Sequence, residues 1–301
     1  MIKASAVNRW LRREVRDVNR VRKVPSQRLR LLLARLGFHS DSPVAPWKQQ
    51  LEAFYCGIKL RGFVAMLPGG AGKARIALEL AQYRVQQKHT GCVLYVTLND
   101  QACGEVVDGA ALHTPNLRVV HLSGDSTEKR WERRNMEADV YVVAYPALRN
   151  MIFRETSGNK VYNTKTKWKS KRGRSLSSEQ VSRVLKLLGR AAMIIMDEVH
   201  EAGSTRSDTY QVLLRLTKHC DIRVGMSATM TSRKPDTLWP QFNLIDRGES
   251  LGATLGLFRA AFFDVKHNKF FGTWEYVFRK DMMPELRRMC ANRALMYEDN
   301  E

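Results

Sequence analysis

Two short stretches of the sequence carry residue types that can handle a phosphorylated ligand. The first is Pro68-Gly69-Gly70-Ala71-Gly72-Lys73-Ala74, which follows the apolar run Gly62 to Leu67 and precedes the helical pattern Arg75 to Ala81. Glycines let a backbone curl so that successive amides point at one anion. The helix start adds partial positive charge, and a lysine there reaches the terminal phosphates. Gly70, Ala71, Gly72, Lys73 and Ala74 are therefore the nucleotide-binding candidates. The second stretch, Asp197-Glu198-Val199-His200, directly follows the apolar run Met193 to Met196. Open α/β sheets bind ligands at the carboxyl ends of their strands. An aspartate there can hold Mg2+ and an adjacent glutamate can orient and deprotonate a water, so Lys73, Asp197 and Glu198 are the catalytic candidates and Asp197 the metal ligand. A bare Gly-x-Gly-Lys arises by chance in roughly one chain in ten of this length, and an acidic turn can be merely solvated. The strand-loop-helix setting weighs against both.

A third stretch, Ser227-Ala228-Thr229, follows the run Ile222 to Met226, where hydroxyls can bond to the acidic motif; His200, Ser227 and Thr229 are the coupling candidates. These stretches need a sheet to gather them. From Trp47 onward the pattern alternates between helix and strand, the signature of a parallel sheet covered on both faces. Strands are expected at Gly62 to Leu67, Cys92 to Leu98, Leu117 to Leu122, Val140 to Ala144, Met193 to Met196 and Ile222 to Met226. Helices are expected at Gln50 to Leu60, Lys73 to Gln87, after Asn99, Thr127 to Met136, Ser178 to Leu188 and Thr209 to His219. The fold class is α/β, a parallel sheet sandwiched by helices, with a basic helical N-terminal extension broken at Pro25 and ended by Gly37.

The 301 residues carry a formal net charge of +20, most of it in two places. Residues 1 to 36 hold a net +9 and residues 154 to 180 a net +6. Such patches attract polyanions through counterion release; the alternative is a solvated basic surface without a partner. Lys165, Lys167, Lys169, Lys171, Arg172 and Arg174, in the polar insertion 154–177, are the nucleic-acid-binding candidates. No apolar run approaches the roughly 20 residues of a membrane span, and the Arg-rich start does not fit a secretory signal. The expectation is a cytoplasmic protein, in a bacterial or phage-infected cell, or a nuclear one, not a secreted one. An organellar transit peptide is the alternative reading of the start, opposed by Glu14 and Asp17. The five cysteines lack metal-ligand spacing and support neither a disulfide framework nor a zinc site.

Taken in order, these motifs resemble a superfamily 2 helicase, and within it the Swi/Snf-type translocase branch. Gln49 to Ala53 is similar to that branch's adenine-contacting segment, with Gln50 aligned to the glutamine. Gly70 to Lys73 resembles motif I, Val93 to Asn99 motif Ia, Asp197 to His200 motif II (a DEVH form of the DEAH box) and Ser227 to Thr229 motif III. Val142 to Arg149, Leu238 to Asp246 and Phe258 to Asp264 look like branch-specific segments, and the resemblance covers about residues 46 to 290. It implies ATP and Mg2+ as cofactors, nucleic acid as partner with DNA favoured over RNA, and a nucleotide held between two lobes. Two departures stand out. Ala74 replaces the hydroxyl residue that normally follows the lysine, and no Gln-x-x-Gly-Arg-x-x-Arg pattern of a second lobe appears after residue 230.

The expected organisation is therefore a basic extension and linker (1–45), a RecA-like lobe 1 (46–235) with its basic insertion, and a helical segment (236–301) leading toward a second lobe. The expected function is lobe 1 of a nucleic-acid-dependent ATPase of the helicase type, completed by a partner carrying lobe 2, with a viral or phage source the natural home for such a division. The alternatives are a catalytically weak nucleic-acid-binding protein that keeps the fold, and a viral DNA-packaging ATPase.

Overall fold

Parallel strands covered on both faces must be apolar throughout, and such runs form the centre of the molecule. The computed structural model describes residues 4–88, 91–122, 126–133, 136–155, 174–176, 178–188, 192–228, 235–268 and 273–297. In chain order the helices α1 (Ala4–Leu11) and α2 (Ser26–Arg35) precede α3 (Lys48–Lys59), β1 (Gly62–Met66), α4 (Lys73–Gln86), β2 (Val93–Thr97) and α5 (Asp100–His113). Then come β3 (Val119–His121), α6 (Thr127–Arg133), β4 (Val140–Ala144), α7 (Tyr145–Ile152), β5 (Phe153–Glu155), β6 (Arg174–Leu176), α8 (Ser178–Leu188) and β7 (Ala192–Met196). The chain continues through α9 (Asp208–Thr217), β8 (Cys220–Ser227), α10 (Leu238–Asp246), α11 (Leu255–Phe262), β9 (Phe263–Asn268), β10 (Thr273–Phe278), α12 (Met283–Cys290) and β11 (Ala294–Met296).

Seven strands form one sheet in the order β11-β1-β8-β7-β2-β4-β3, with every pairing parallel. Every residue of β1, β2, β4 and β7 is buried, so helices cover both faces. The order has a direct consequence: β8 lies between β1 and β7, so the carboxyl ends of the three motif-bearing strands are neighbours. All six expected strands are present. Helix α7 was not among the expected helices; it starts at Tyr145, straight from the end of β4.

The expectation of a helical 236–301 segment is corrected. Besides α10, α11 and α12 it holds the antiparallel hairpin β9–β10 and the strand β11, which returns to the sheet beside β1. The three residues Ala294, Leu295 and Met296 are too short a run to announce a strand by periodicity. The insertion is likewise framed by structure, since β5 and β6 pair antiparallel on either side of residues 156–173.

The basic extension is folded onto the core. Leu29 and Leu33 of α2 are buried, and Trp10 of α1 meets Phe262 of α11 edge-on with ring centroids 6.0 Å apart. Between the helices, a 3-10 turn at Val18–Lys23 lies along β11: Val18 N–H donates to Ala291 O at 2.9 Å and the Asn19 amide bonds both to Ala294 O and to Met296 N. Residues 12–17 break the helical pattern expected across 4–36. All five cysteines are buried and free.

Candidate nucleotide site

The phosphate loop is shaped by two glycines with left-handed backbone, Gly70 at φ 75° and Gly72 at φ 73°. Gly72 is constrained twice, because a Cβ there would lie 2.4 Å from Gln50 Nε2. It caps α4, whose first residue is Lys73. The Lys73 ammonium donates to Leu67 O at 3.2 Å and Pro68 O at 3.4 Å, and lies 4.0 Å from Glu198 Oε1. Ala71 is buried, while Ala74 in the first turn of α4 presents only a methyl group. Gln50, on α3, is 3% exposed; its Oε1 accepts from Trp47 N–H and its Nε2 donates to Ala71 O at 3.2 Å. In this arrangement Gln50 braces the loop.

Asp197 and Glu198 form the turn after β7. Asp197 Oδ1 accepts the Glu198 N–H at 3.0 Å and Oδ2 accepts the Thr97 hydroxyl at 3.3 Å, while the buried Tyr145 hydroxyl donates to Asp197 O at 2.7 Å. Burial pushes the Asp197 carboxyl up from its ordinary range, and the neighbouring Glu198 adds to that. Glu198 takes a left-handed backbone, φ 46° and ψ 53°, uncommon for a residue with a side chain. Its Oε2 lies 3.2 Å from His200 Nδ1. That contact, with a further contribution from Lys73, holds Glu198 below the usual carboxylate range against the opposing effect of burial, and Glu198 in turn raises His200. Ser227, the buried last residue of β8, places its hydroxyl 3.5 Å from His200 Nδ1, and its carbonyl accepts the Leu67 N–H at 3.1 Å. The phosphate loop, the acidic turn and the end of β8 are thus directly joined.

The structure brings Gln50, Gly70 to Ala74, Asp197, Glu198, His200 and Ser227 to one end of the sheet. Thr229 and the insertion residues Lys165, Lys167, Lys169, Lys171 and Arg172 lie outside the described residues, and for Arg174 only its backbone place in β6 is described. Thr97 and Tyr145, which hold Asp197 from β2 and α7, fall in the segments Val93 to Asn99 and Val142 to Arg149 noted in the sequence but were not among the candidate site residues. Thr97 carried a readable signal: it is a hydroxyl ending an apolar strand, as Ser227 is on β8.

The sequence model of the family described as type III restriction enzyme, res subunit, matches residues 43–232, more than half of the chain. The chain belongs to that family. Its match spans every residue gathered in the site, from Gln50 to Ser227. The chain is also similar to two solved structures of the SWI2/SNF2 ATPase core of Sulfolobus solfataricus. One, in complex with dsDNA, gives a TM-score of 0.59 at 13% identity over 87% of this chain and 46% of that one; the other gives 0.54 at 13% identity over 87% and 45%. The UvsW helicase of bacteriophage T4 is similar at a TM-score of 0.48 and 15% identity, over 74% of this chain and 66% of that one. No curated protein matches the sequence. The chain spans about half the length of the SWI2/SNF2 cores it matches. Its fold is the RecA-like P-loop NTPase fold.

Proposed function

We propose that this chain is lobe 1 of a DNA-dependent ATPase or translocase, whose nucleotide site is completed by a second RecA-like lobe on a partner polypeptide. The observation that carries the reading is the convergence of Lys73, Asp197, Glu198 and Ser227 on three adjacent strand ends. The donor set fits a magnesium ion: Asp197 and Glu198 are adjacent carboxylates beside a phosphate loop, and their mutual repulsion is what a divalent cation relieves. Magnesium bound by Asp197 would neutralise charge on the phosphate oxygens. Lys73 supplies the ammonium for the terminal phosphates, and the loop amides between Gly70 and Ala74 cradle them. Glu198, kept ionised by His200 and Lys73, orients the attacking water and takes its proton. His200 and Ser227 tie that carboxylate to β8. The Gln50 amide, already at the loop, borders the expected place of the adenine.

DNA is favoured over RNA because the similar Sulfolobus core was solved with dsDNA, and the net charge supplies a sequence-independent attraction. The deciding experiment measures DNA-stimulated ATP hydrolysis by the chain alone and mixed with proteins carrying a second RecA-like lobe. Hydrolysis should be weak alone and rise by several orders of magnitude when a lobe bearing arginine fingers is supplied. Glu198→Gln should lower it about 100-fold or more while leaving nucleotide binding intact. A second reading, a nucleic-acid-binding protein that retains the fold with little turnover, is favoured by Ala74, which offers magnesium no hydroxyl. Absence of hydrolysis in every pairing, with DNA binding retained, would establish it in place of the first.

A further inference from the structure

At the end of the sheet opposite the phosphate loop, the amino ends of β11, β1 and β8 lie side by side, and each carries an arginine. Arg293 precedes β11, Arg61 precedes β1, and Arg223 in β8 pairs with Gly62. The backbones are locked in register, since Arg61 O accepts the Arg223 N–H at 2.7 Å and Arg293 O accepts the Val64 N–H at 2.9 Å. These arginines line an open cavity of about 330 Å³, bordered also by Arg16 from the N-terminal segment and Lys59 from the end of α3. Five cations therefore face one small space.

Two carboxylates also border it, and both are engaged. Asp246 accepts the Gly248 and Ser250 N–H groups at 3.0 and 2.8 Å, and Glu249 pairs with Arg293. Arg223 is left over. It is 9% exposed, and its Nε and Nη1 meet no hydrogen-bond partner. Burial, reinforced by nearby Arg247, pulls its pKa down. Asp246 and Asp221 attract it only in part; a buried guanidinium with unfilled donors carries a heavy desolvation cost, and buried polar groups without hydrogen-bond partners point to an ion or water that satisfies them. Water would supply an acceptor but no charge. The planar fork of a guanidinium matches an oxyanion in bidentate geometry, and the surrounding cations select for high negative charge.

We propose that this cavity binds a tetrahedral oxyanion of the phosphate class, seated on Arg223 and rimmed by Arg61, Arg16 and Lys59. It is a second anion site, at the far end of the sheet from the nucleotide and independent of it. The phosphate can come from a small free molecule or from a nucleic-acid backbone, and the test separates the two.

The test uses the full chain carrying Lys73→Ala, which silences the phosphate loop, and inorganic phosphate as probe in calorimetry and thermal unfolding. Phosphate should bind this protein and raise its Tm. Adding Arg61→Gln and Lys59→Gln, two exposed rim positions, should weaken binding about tenfold or more. Adding Arg223→Met should remove the phosphate-dependent rise in Tm while leaving the phosphate-free Tm equal or higher, since it deletes a buried unpaired charge. A DNA duplex is the second arm: weaker duplex binding by the rim variant marks a backbone phosphate as the source, and unchanged duplex binding marks a free one. The proposal is overturned if phosphate fails to bind at millimolar concentration, or binds the Lys73→Ala protein and its rim variant equally.

Discussion

Asp197 is held by contacts that reach far along the chain. Its carboxylate receives the Thr97 hydroxyl and its backbone carbonyl receives that of Tyr145. Thr97→Val should destabilise the fold by about 1 kcal/mol and raise the magnesium concentration needed for half-maximal nucleotide binding, as read by fluorescence titration. The companion change Ala74→Thr restores a hydroxyl at the first turn of α4, and should tighten magnesium-dependent nucleotide binding; no change would show that the site works without that ligand. Asp246 permits a prediction about pH. Its pKa is raised by burial, so the folded state holds this proton more tightly than the unfolded one, and its contribution to stability is present at low pH and lost as pH rises through the raised value. Compared with Asp246→Asn in chemical denaturation, the parent chain should therefore lose stability as pH climbs above the ordinary aspartate range. Lys73, Asp197, Glu198 and Ser227 were legible because each sits in a short local pattern. Thr97 was readable as a hydroxyl ending an apolar strand, but its pairing with Asp197, like that of Tyr145, was not, because the partner lies 100 and 52 residues away, and sequence spacing carries no information about contacts between strands.

Helix α4 and the loop before it behave as one element. Gly72→Ala would force a left-handed backbone on a residue with a Cβ and drive that Cβ into Gln50; a loss of more than about 1 kcal/mol in stability together with weakened nucleotide binding should follow. One turn further on, Arg75 and Glu79 form a buried ion pair at 2.6 Å, with exposures of 5% and 1%, and Arg75 also donates to Val44 O. That bond fastens the Pro-rich linker 39–46 to the helix. Arg75→Ala should cost about 3–5 kcal/mol by leaving Glu79 charged and unpaired, whereas a joint replacement by apolar residues should cost far less. The central strands were readable because burial on both faces demands unbroken apolar runs. Strand β11 was not, being three residues long, nor was the hairpin β9–β10, whose Trp274, Tyr276 and Val265 share one face that remains exposed, so no burial demands an apolar run there.

At the scale of the whole molecule, the structure divides the positive charge into two kinds. Within the N-terminal segment Arg13, Arg22 and Arg30 spend hydrogen bonds on carbonyls of Ser250, Met296 and Pro46, while Arg12, Arg16, Arg20, Lys23, Arg28 and Arg35 stay exposed. Composition could announce the charge but not which arginines fasten the chain. Removing residues 1–24 should accordingly do two things: lower Tm, by stripping the turn that lies along β11, and weaken DNA binding with a shallower salt dependence. Excising 156–173 should flatten the salt dependence with little change in Tm. Equal Tm losses for both deletions would refute this division of labour. The position of β11 also carries a practical consequence. Tyr297, just beyond it, bonds through its N–H to Met66 O at the threshold of the phosphate loop, and its hydroxyl meets Glu52 of α3. An environment-sensitive dye attached at this point would sit close to the phosphate loop, so a fluorescence change on adding nucleotide is expected if the loop binds phosphates as proposed.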